Sequence, residues 1–362
     1  MTARVRVHMT GSAWFPTVPG GLNRYFTDLF RALESHPKLE VSAAAFGDPA
    51  QGGRSWGPPA GSTWQRARAS FVERSPLPHR AVLDRHFCLY GRPAIDRHGR
   101  HPLVVHFHGP WAAESRMSGS REAAARVKYW IERMRYLGAD RYVVLSRHFR
   151  DLLAESYRVP QHKICVIPPG VDLDRFHVLP QSRPSRTVLC VRRLERRMGI
   201  DVLLRAWSEV LAVRPDARLV IVGTGREEQA LRARVGASPD LSGSVAFEGC
   251  TTDERLVRLY GNAAFTVVPS VELEGFGLIA LESLAAGRAP IVTDCGGLPD
   301  SVRGLDPSLI VPAGEASALA DRIVRALDGN LPAPHRCRTH AESFSWQAAA
   351  EQHVAMYREL LA

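Results

Sequence analysis

PSVELEGFGLIALESLAAG, residues 269–287, decides how this chain is read. The apolar run FTVVPS reads as a strand that closes near Pro269. A loop then holds Glu274, Gly275, Phe276 and Gly277, and apolar residues return at helical spacing from Leu278. A strand that passes through glycines into a helix brings unpaired N–H groups and the positive end of the helix dipole together, which suits a diphosphate. Glu274 stands before that helix and Glu282 about one turn inside it, so both carboxylates can accept hydrogen bonds from hydroxyls. On their own, two acids flanking a helix start describe an ordinary capped helix equally well.

Working outward, the second half repeats the same alternation. TVLCVRRL (187–194) opens a series of strands, ARLVIVGTG ends on Gly223, Thr224 and Gly225, VAFEG ends on Glu248 and Gly249, and APIVTDCGG ends on Gly296 and Gly297. GTGREE places Glu228 where a dinucleotide fingerprint needs its last glycine, so that class of ligand is disfavoured. The first half reads alike: VRVHM (5–9), a glycine-rich loop with Gly20 and Gly21, then RYFTDLFRALESH (24–36) as a helix. PLVVHFHG, DRYVVLS and KICVIPPG follow as strands separated by helical stretches. Strands alternating with helices specify parallel sheets, so the expected fold class is α/β with two doubly wound, Rossmann-like domains. The Pro, Ser and Arg stretch VLPQSRPSR (178–186) divides them, giving 1–180 and 181–343. FSWQAAAEQHVAMYRELLA (344–362) is expected to dock on the first domain, with Trp346, Ala350, Val354, Tyr357 and Leu361 on one stripe. Residues 50–100, rich in Gly, Pro and Arg, read as mobile surface segments.

With 362 residues and 45% hydrophobic side chains, the chain has enough for two ordinary domains, and a disordered or repeat-only reading is excluded. No apolar run reaches the roughly 18 to 20 residues of a membrane span, and MTARVRVHMTG lacks a secretory core, so a cytoplasmic protein is expected. The six cysteines are dispersed without C-x-x-C or close Cys/His spacing, which disfavours zinc or a disulfide framework; all are expected as buried thiols. Residues 1–180 carry 26 Lys and Arg against 15 Asp and Glu, whereas residues 181–362 carry 21 against 22. A basic half attracts phosphorylated small molecules, anionic lipid or nucleic acid. It lacks the aromatic and basic interleaving of a strand-binding platform, so nucleic acid is the weakest of these.

The whole pattern resembles the family-4 retaining glycosyltransferases of the GT-B fold. The family's Glu, seven residues, Glu motif stands here as Glu274 and Glu282. PGGLNR (19–24), HFHG (106–109), IPPGVDLDRF (167–176), VRRLERRMG (191–199), VGTG (222–225), VAFEG (245–249) and FSW (344–346) occur in the family's order. The resemblance implies that a nucleotide diphosphate sugar is held by the carboxyl-terminal half, with Glu274 on the transferred sugar and Glu282 on the ribose. The backbone of Phe276, Gly277 and Leu278 would face sugar and phosphate, and Glu248 and Gly249 the base. Gly20 and Gly21 would lie over the diphosphate, with Gly223 and Gly225 on the same cleft and His108 near the sugar. Arg24, on the first helical turn, is a further candidate contact.

His106 is expected on the opposite strand face from His108, packed. Where the family shows Gly-Arg-Leu, three residues, Lys-Gly, this chain has Arg192-Arg193-Leu194 and Met198-Gly199. Arg193 takes the family's Arg position, and Arg197 is expected to replace the missing Lys in stabilising the leaving diphosphate. No metal and no cofactor beyond the sugar nucleotide is expected, on the reading that the chain has no Asp-x-Asp motif and that arginine with the helix dipole supplies the positive charge. The acceptor hydroxyl stays open among a phosphorylated polyol, a lipid-linked sugar and a natural-product aglycone, with membrane contact at most peripheral. Trp14, Phe15, Trp56 and Trp64 can stack on a sugar or pack internally. The same architecture also suits a sugar-nucleotide epimerase or a sugar phosphorylase.

Overall fold

The computed structural model describes residues 4–15, 17–72, 77, 80–96, 99–110, 122–136, 138–180 and 184–362. They form two compact units, Met1–Gly170 with Trp346–Ala362, and Val171–Ser345. The expected boundary at 180 therefore moves to 170/171, and the later one from 343/344 to 345/346. Packing accounts for the first shift: Phe176 meets Tyr260 edge to face at 5.6 Å, and Arg338 Nη1 donates to the carbonyls of Leu173 and Phe176. These contacts attach the segment after Gly170 to the second unit. Of the expected linker, residues 181–183 lie outside the described residues.

The first unit contains β1 (Val5–Ala13), β2 (Leu39–Phe46), β3 (Gly53–Ser55), β4 (Val82–Arg85), a small antiparallel ribbon of β5 (Ile95–Asp96) and β6 (Gly99–Arg100), then β7 (Leu103–Phe107), β8 (Arg141–Val144) and β9 (Ile164–Val166). Apart from the ribbon they make one sheet in the order β3-β2-β1-β4-β7-β8-β9, every pair parallel. Within residues 50–100, read as surface segments, β4 is wholly buried and joins β1 to β7. Only four residues long and flanked by Gly, Pro and Arg, it offers too short a period to stand out. The Gly21–Glu34 helix sets Tyr25, Phe26, Leu29, Phe30 and Leu33 against this sheet. Burying each contributes about 1.5–3 kcal/mol. The Trp346–Leu361 helix adds Ala349, Ala350, Val354, Met356 and Tyr357 to the same core, with Trp346 and Leu361 half-buried at its edge.

Trp14 is fully buried against Phe26 and Phe30 and donates its Nε1 proton to Arg54 O at 2.8 Å. Trp56 packs on Phe46 and Tyr90, whereas Trp64 is exposed. Of the cysteines, Cys250 is exposed and Cys165 half-buried, a correction to the buried reading; the other four are buried. Among the described residues no helix is long and apolar enough to cross a membrane.

The second unit contains β10 (Thr187–Val191), β11 (Arg218–Val222), β12 (Val245–Gly249), β13 (Phe265–Val268), β14 (Pro290–Thr293) and β15 (Ile310–Val311). They form a parallel sheet in the order β12-β11-β10-β13-β14-β15. In both sheets the strand order reverses at the centre, beside β1 in the first and β10 in the second. Doubly wound sheets bind ligands at the carboxyl ends of the strands flanking such a reversal. In the second unit these are the loops after β10 and β13, which carry VRRLERRMG and PSVELEGFG.

Candidate active site

β10 delivers Arg192 directly from its buried end. The side chain is 7% exposed and Glu274's is 15% exposed. Arg192 Nη2 ion-pairs with the Glu274 carboxylate and also donates to Ser270 Oγ, while Ser270 Oγ donates to Glu274 Oε2 at 3.3 Å. Arg192 Nε is buried with no hydrogen-bond partner. The loop is fixed from behind: Gly297 N donates to Glu274 O at 2.8 Å and Thr293 Oγ1 to Ser270 O at 2.6 Å. A Cβ on Gly296 would stand 2.2 Å from Glu274 O, so that glycine is required by close approach. Leu273 holds a left-handed φ of 49°, strain that the surrounding contacts sustain just before the acid.

The Leu278–Ala285 helix starts from Gly277 at φ 90°, with no side-chain cap. Its positive end therefore follows the Glu274 loop directly. Phe276 turns its ring into the core against Phe344, 5.6 Å away, leaving its backbone as the part able to meet a ligand. Glu282 is buried and accepts a hydrogen bond from Tyr260 Oη at 2.9 Å. Burial, and then Glu282, hold the Tyr260 hydroxyl well above its usual pKa, so it stays a donor.

The remaining candidates separate. Arg193 is exposed just past the strand end. Arg197 donates through Nη1 to Leu273 O at 2.9 Å and accepts from Val271 N at 2.9 Å, which makes it a brace for the Glu274 loop. Met198, where the lysine was missing, is buried. Gly223 and Gly225 pass so near the β10 loop that a Cβ would lie 2.0 Å from Arg192 O and 2.3 Å from Leu194 O. Backbone packing alone therefore accounts for both glycines. Glu248 is exposed and ion-paired with Arg255 at 2.9 Å, with Gly249 beside it at φ 68°. Asp172-Leu173-Asp174 has the Asp-x-Asp spacing of many metal-dependent transferases, but Asp172 Oδ1 accepts the amides of Asp174 and Arg175, capping its own turn.

In the first unit Gly20, at φ 148°, and Gly21 are exposed, and a Cβ on either would meet nothing within 4 Å. They open the Gly21–Glu34 helix without a side-chain cap. Arg24 lays its guanidinium 4.2 Å from the Phe15 ring centre. His108 lies in a group of stacked imidazoles, 5.8 Å from both His86 and His106. His106 and His108 share a strand face, as residues two apart must, so the expectation of opposite faces is corrected. Burial pushes the His108 pKa down to about 4, and His86 and His106 are driven well below the usual histidine value, first by burial and then by neighbouring imidazoles: His106 acts on His86, and His353 and His108 act on His106. At neutral pH His108 can therefore accept or donate one hydrogen bond but supplies no charge.

Two α/β units, each with glycine loops and an uncapped helix start at the carboxyl side of its sheet, define a protein of the GT-B class. Residues 19–175 match the sequence model Glycosyltransferase Family 4, and residues 185–329 match Glycosyl transferases group 1. The chain belongs to the family-4, group 1 glycosyltransferases. It is 35% identical over 243 residues to the D-inositol 3-phosphate glycosyltransferase of Corynebacterium jeikeium, a match covering 61% of this chain and 58% of that protein. It is 27% identical over 277 residues to the GDP-mannose-dependent monoacylated alpha-(1-6)-phosphatidylinositol monomannoside mannosyltransferase of Corynebacterium glutamicum, covering 70% of this chain and 69% of that one. The chain thus spans little more than half the length of the first of these relatives. The solved sucrose-phosphate synthase of Thermosynechococcus elongatus shares the fold, with a TM-score of 0.75 at 22% identity and 99% coverage of each chain.

Proposed function

We propose that this chain moves a hexosyl group from a nucleotide diphosphate sugar to an acceptor hydroxyl, retaining configuration at the anomeric carbon. The observation that carries the reading is the buried Arg192–Ser270–Glu274 triad at the reversal of the second sheet. Glu274 accepts hydrogen bonds from the transferred sugar and Glu282, oriented by Tyr260, from the ribose. The bond from the anomeric carbon to the phosphate oxygen breaks and its electron pair leaves on the diphosphate. Arg192, Arg193 and the uncapped helix start then stabilise the growing negative charge, so no metal is needed there. The acceptor oxygen bonds to the anomeric carbon on the same face and its proton passes to the departing phosphate oxygen. Glu248 and Gly249 flank the base, Gly20 and Gly21 admit the diphosphate, and His108 serves the sugar as a neutral hydrogen-bonding group.

A phosphorylated polyol is the favoured acceptor. The basic first half attracts phosphate, and the Corynebacterium jeikeium relative is named for inositol 3-phosphate. The test presents UDP-, GDP-, ADP- and dTDP-sugars with inositol phosphate and reads melting temperature, released nucleotide and the anomeric proton of the product. A stabilising donor, as expected for a ligand of the native state, together with a new glycoside of the donor's anomeric configuration supports the proposal. An inverted product, an isomerised donor or a dependence on free phosphate defeats it.

Peripheral membrane contact has its own support. On the Glu122–Tyr136 helix Val127, Trp130 and Met134 are 59%, 60% and 66% exposed along one helical face, among Arg126, Lys128 and Arg133. An apolar stripe with basic neighbours suits an anionic bilayer surface. Co-sedimentation with phosphatidylglycerol vesicles should fall several-fold for Trp130→Ser with Met134→Ser, and with added salt. Equal binding by the double variant rejects the contact.

A further inference from the structure

We propose that Ser270 is a positioning residue for the transfer: its hydroxyl turns the Glu274 carboxylate so that Oε1 is the oxygen presented to the donor sugar, and Thr293 fixes the strand end from which it acts. This rests on the reading of Glu274 as the acceptor of sugar hydroxyls, and it gives that acid a direction as well as a charge.

The local sequence dictates where the hydroxyl stands. β13 runs buried through Phe265-Thr266-Val267-Val268, and Pro269, which has no N–H to give to a ladder, ends it. A Cβ on Gly199 would lie 1.9 Å from Pro269 O, so the backbone there is closely packed. β13 and β14 pair with Val268 opposite Val292. Thr293, the last residue of β14, therefore lies beside the exit of β13, where its Oγ1 donates to Ser270 O at 2.6 Å. Both Ser270 and Thr293 are buried.

The hydrogen bonds around the Ser270 hydroxyl run in one direction. A serine hydroxyl gives one proton and accepts on its lone pairs. Arg192 Nη2 donates to Ser270 Oγ, which leaves the hydroxyl proton for Glu274 Oε2 at 3.3 Å. The ion pair from Arg192 Nη2 falls on the same Oε2. Both donors thus hold one oxygen. Among the described residues none donates to Oε1, and that oxygen is not shut away from solvent.

The last torsion of a glutamate side chain is broad and roughly two-fold. Held by Arg192 alone, the carboxylate can swing about the guanidinium and exchange its oxygens. A second donor, set on backbone that Thr293 pins, removes that freedom. An acceptor of substrate hydroxyls has to stay within about 0.5 Å and 10–20° of its productive place, and a misplacement of about 1 Å costs about a hundredfold in rate. The arrangement is particular to this chain, because Arg192 stands where the family pattern has Gly. Ser270 decides which oxygen that added cation leaves open. It contributes no charge, and the diphosphate and ribose are held by other groups, so its effect falls on kcat more than on KM.

The test is a double-variant cycle on the full chain, using whichever of the UDP-, GDP-, ADP- and dTDP-sugars turns over and reading released nucleotide. Ser270→Ala should lower kcat about ten- to a hundredfold with little change in donor KM, while the nucleotide diphosphate alone raises the melting temperature as it does for the parent. In a Glu274→Gln background the same exchange should cost less than about threefold, because a residue acting only through Glu274 then has nothing left to position. A merely structural role would cost the same in both backgrounds. Thr293→Val, which keeps nearly the same shape and removes the bond to Ser270 O, should give a smaller loss of kcat with the same dependence on Glu274, and it decides if Ser270→Ala does not fold. Ser270→Ala with kcat within about twofold of the parent, or a loss carried in full into the Glu274→Gln background, overturns the proposal. Unimpaired transfer by Glu274→Gln alone would instead remove the sugar-site reading of Glu274, so the two failures are told apart.

Discussion

Glu274→Gln should lower kcat/KM for hexosyl transfer by about two to three orders of magnitude, a loss of roughly 3–4 kcal/mol of transition-state stabilisation. The amide keeps the shape of the side chain but loses its charge. A carboxylate accepts at both oxygens, whereas an amide accepts at one and presents donors at the other position. Sugar hydroxyls that donate to Glu274 therefore lose partners. The exchange also leaves the buried Arg192 guanidinium without its counter-ion, and breaking a buried pair by removing one partner costs about 3–5 kcal/mol. Two effects are thus superposed, and they separate by measurement. Nucleotide diphosphate alone, which makes no use of the sugar, should still raise the melting temperature of the variant; loss of that response would mean the loop itself had collapsed. Transfer within threefold of the parent would remove Glu274 from the sugar site.

The Glu274 loop was legible because its chemistry is local: strand, glycines and helix lie within 19 residues, and close backbone approach and a positive φ at Gly277 are demands only glycine meets well. The same holds for the two parallel sheets, whose alternation of strands and helices is plain along the chain. What escaped was non-local. β4 is short, and the neighbours that bury it come from β1 and β7, distant in sequence. The Asp-x-His of residues 84–86 and the His-x-His of 106–108 each have strand period, yet only strand pairing brings them together. His353 joins them from a helix more than two hundred residues further on. Arg192 was passed over because its neighbour Arg193 fits the family pattern. The signal for it was its place directly after the buried run Val188–Val191, where a strand end sends a side chain back into the protein.

That place gives Arg192 the stronger claim to the charge that Met198 lacks. Arg192→Met should reduce kcat by about two orders of magnitude or more, and Arg197→Met by clearly less, acting through a loosened loop and chiefly on KM. The reasoning is electrostatic. A guanidinium 7% exposed is poorly screened by water, so its attraction for a departing diphosphate exceeds that of a solvated arginine. Its Nε–H is buried without a partner in the protein, so the guanidinium keeps unmet hydrogen-bonding capacity beyond the Glu274 pair. Arg197, by contrast, already spends an N–H on Leu273 O. Arg192→Lys discriminates further: a lysine keeps the charge but cannot donate to Ser270, Glu274 and phosphate from one planar fork. It should recover part of kcat while leaving the melting temperature below the parent's. A donor with a better leaving group, such as a dinitrophenyl glycoside of the same sugar, relieves the need for charge at the phosphate, so the Arg192→Met deficit should shrink with it and the Glu274→Gln deficit should not. If Arg197→Met proves the more damaging to kcat, the missing lysine is replaced from the 3-10 turn at residues 196–198, and Arg192 only holds Glu274 in place.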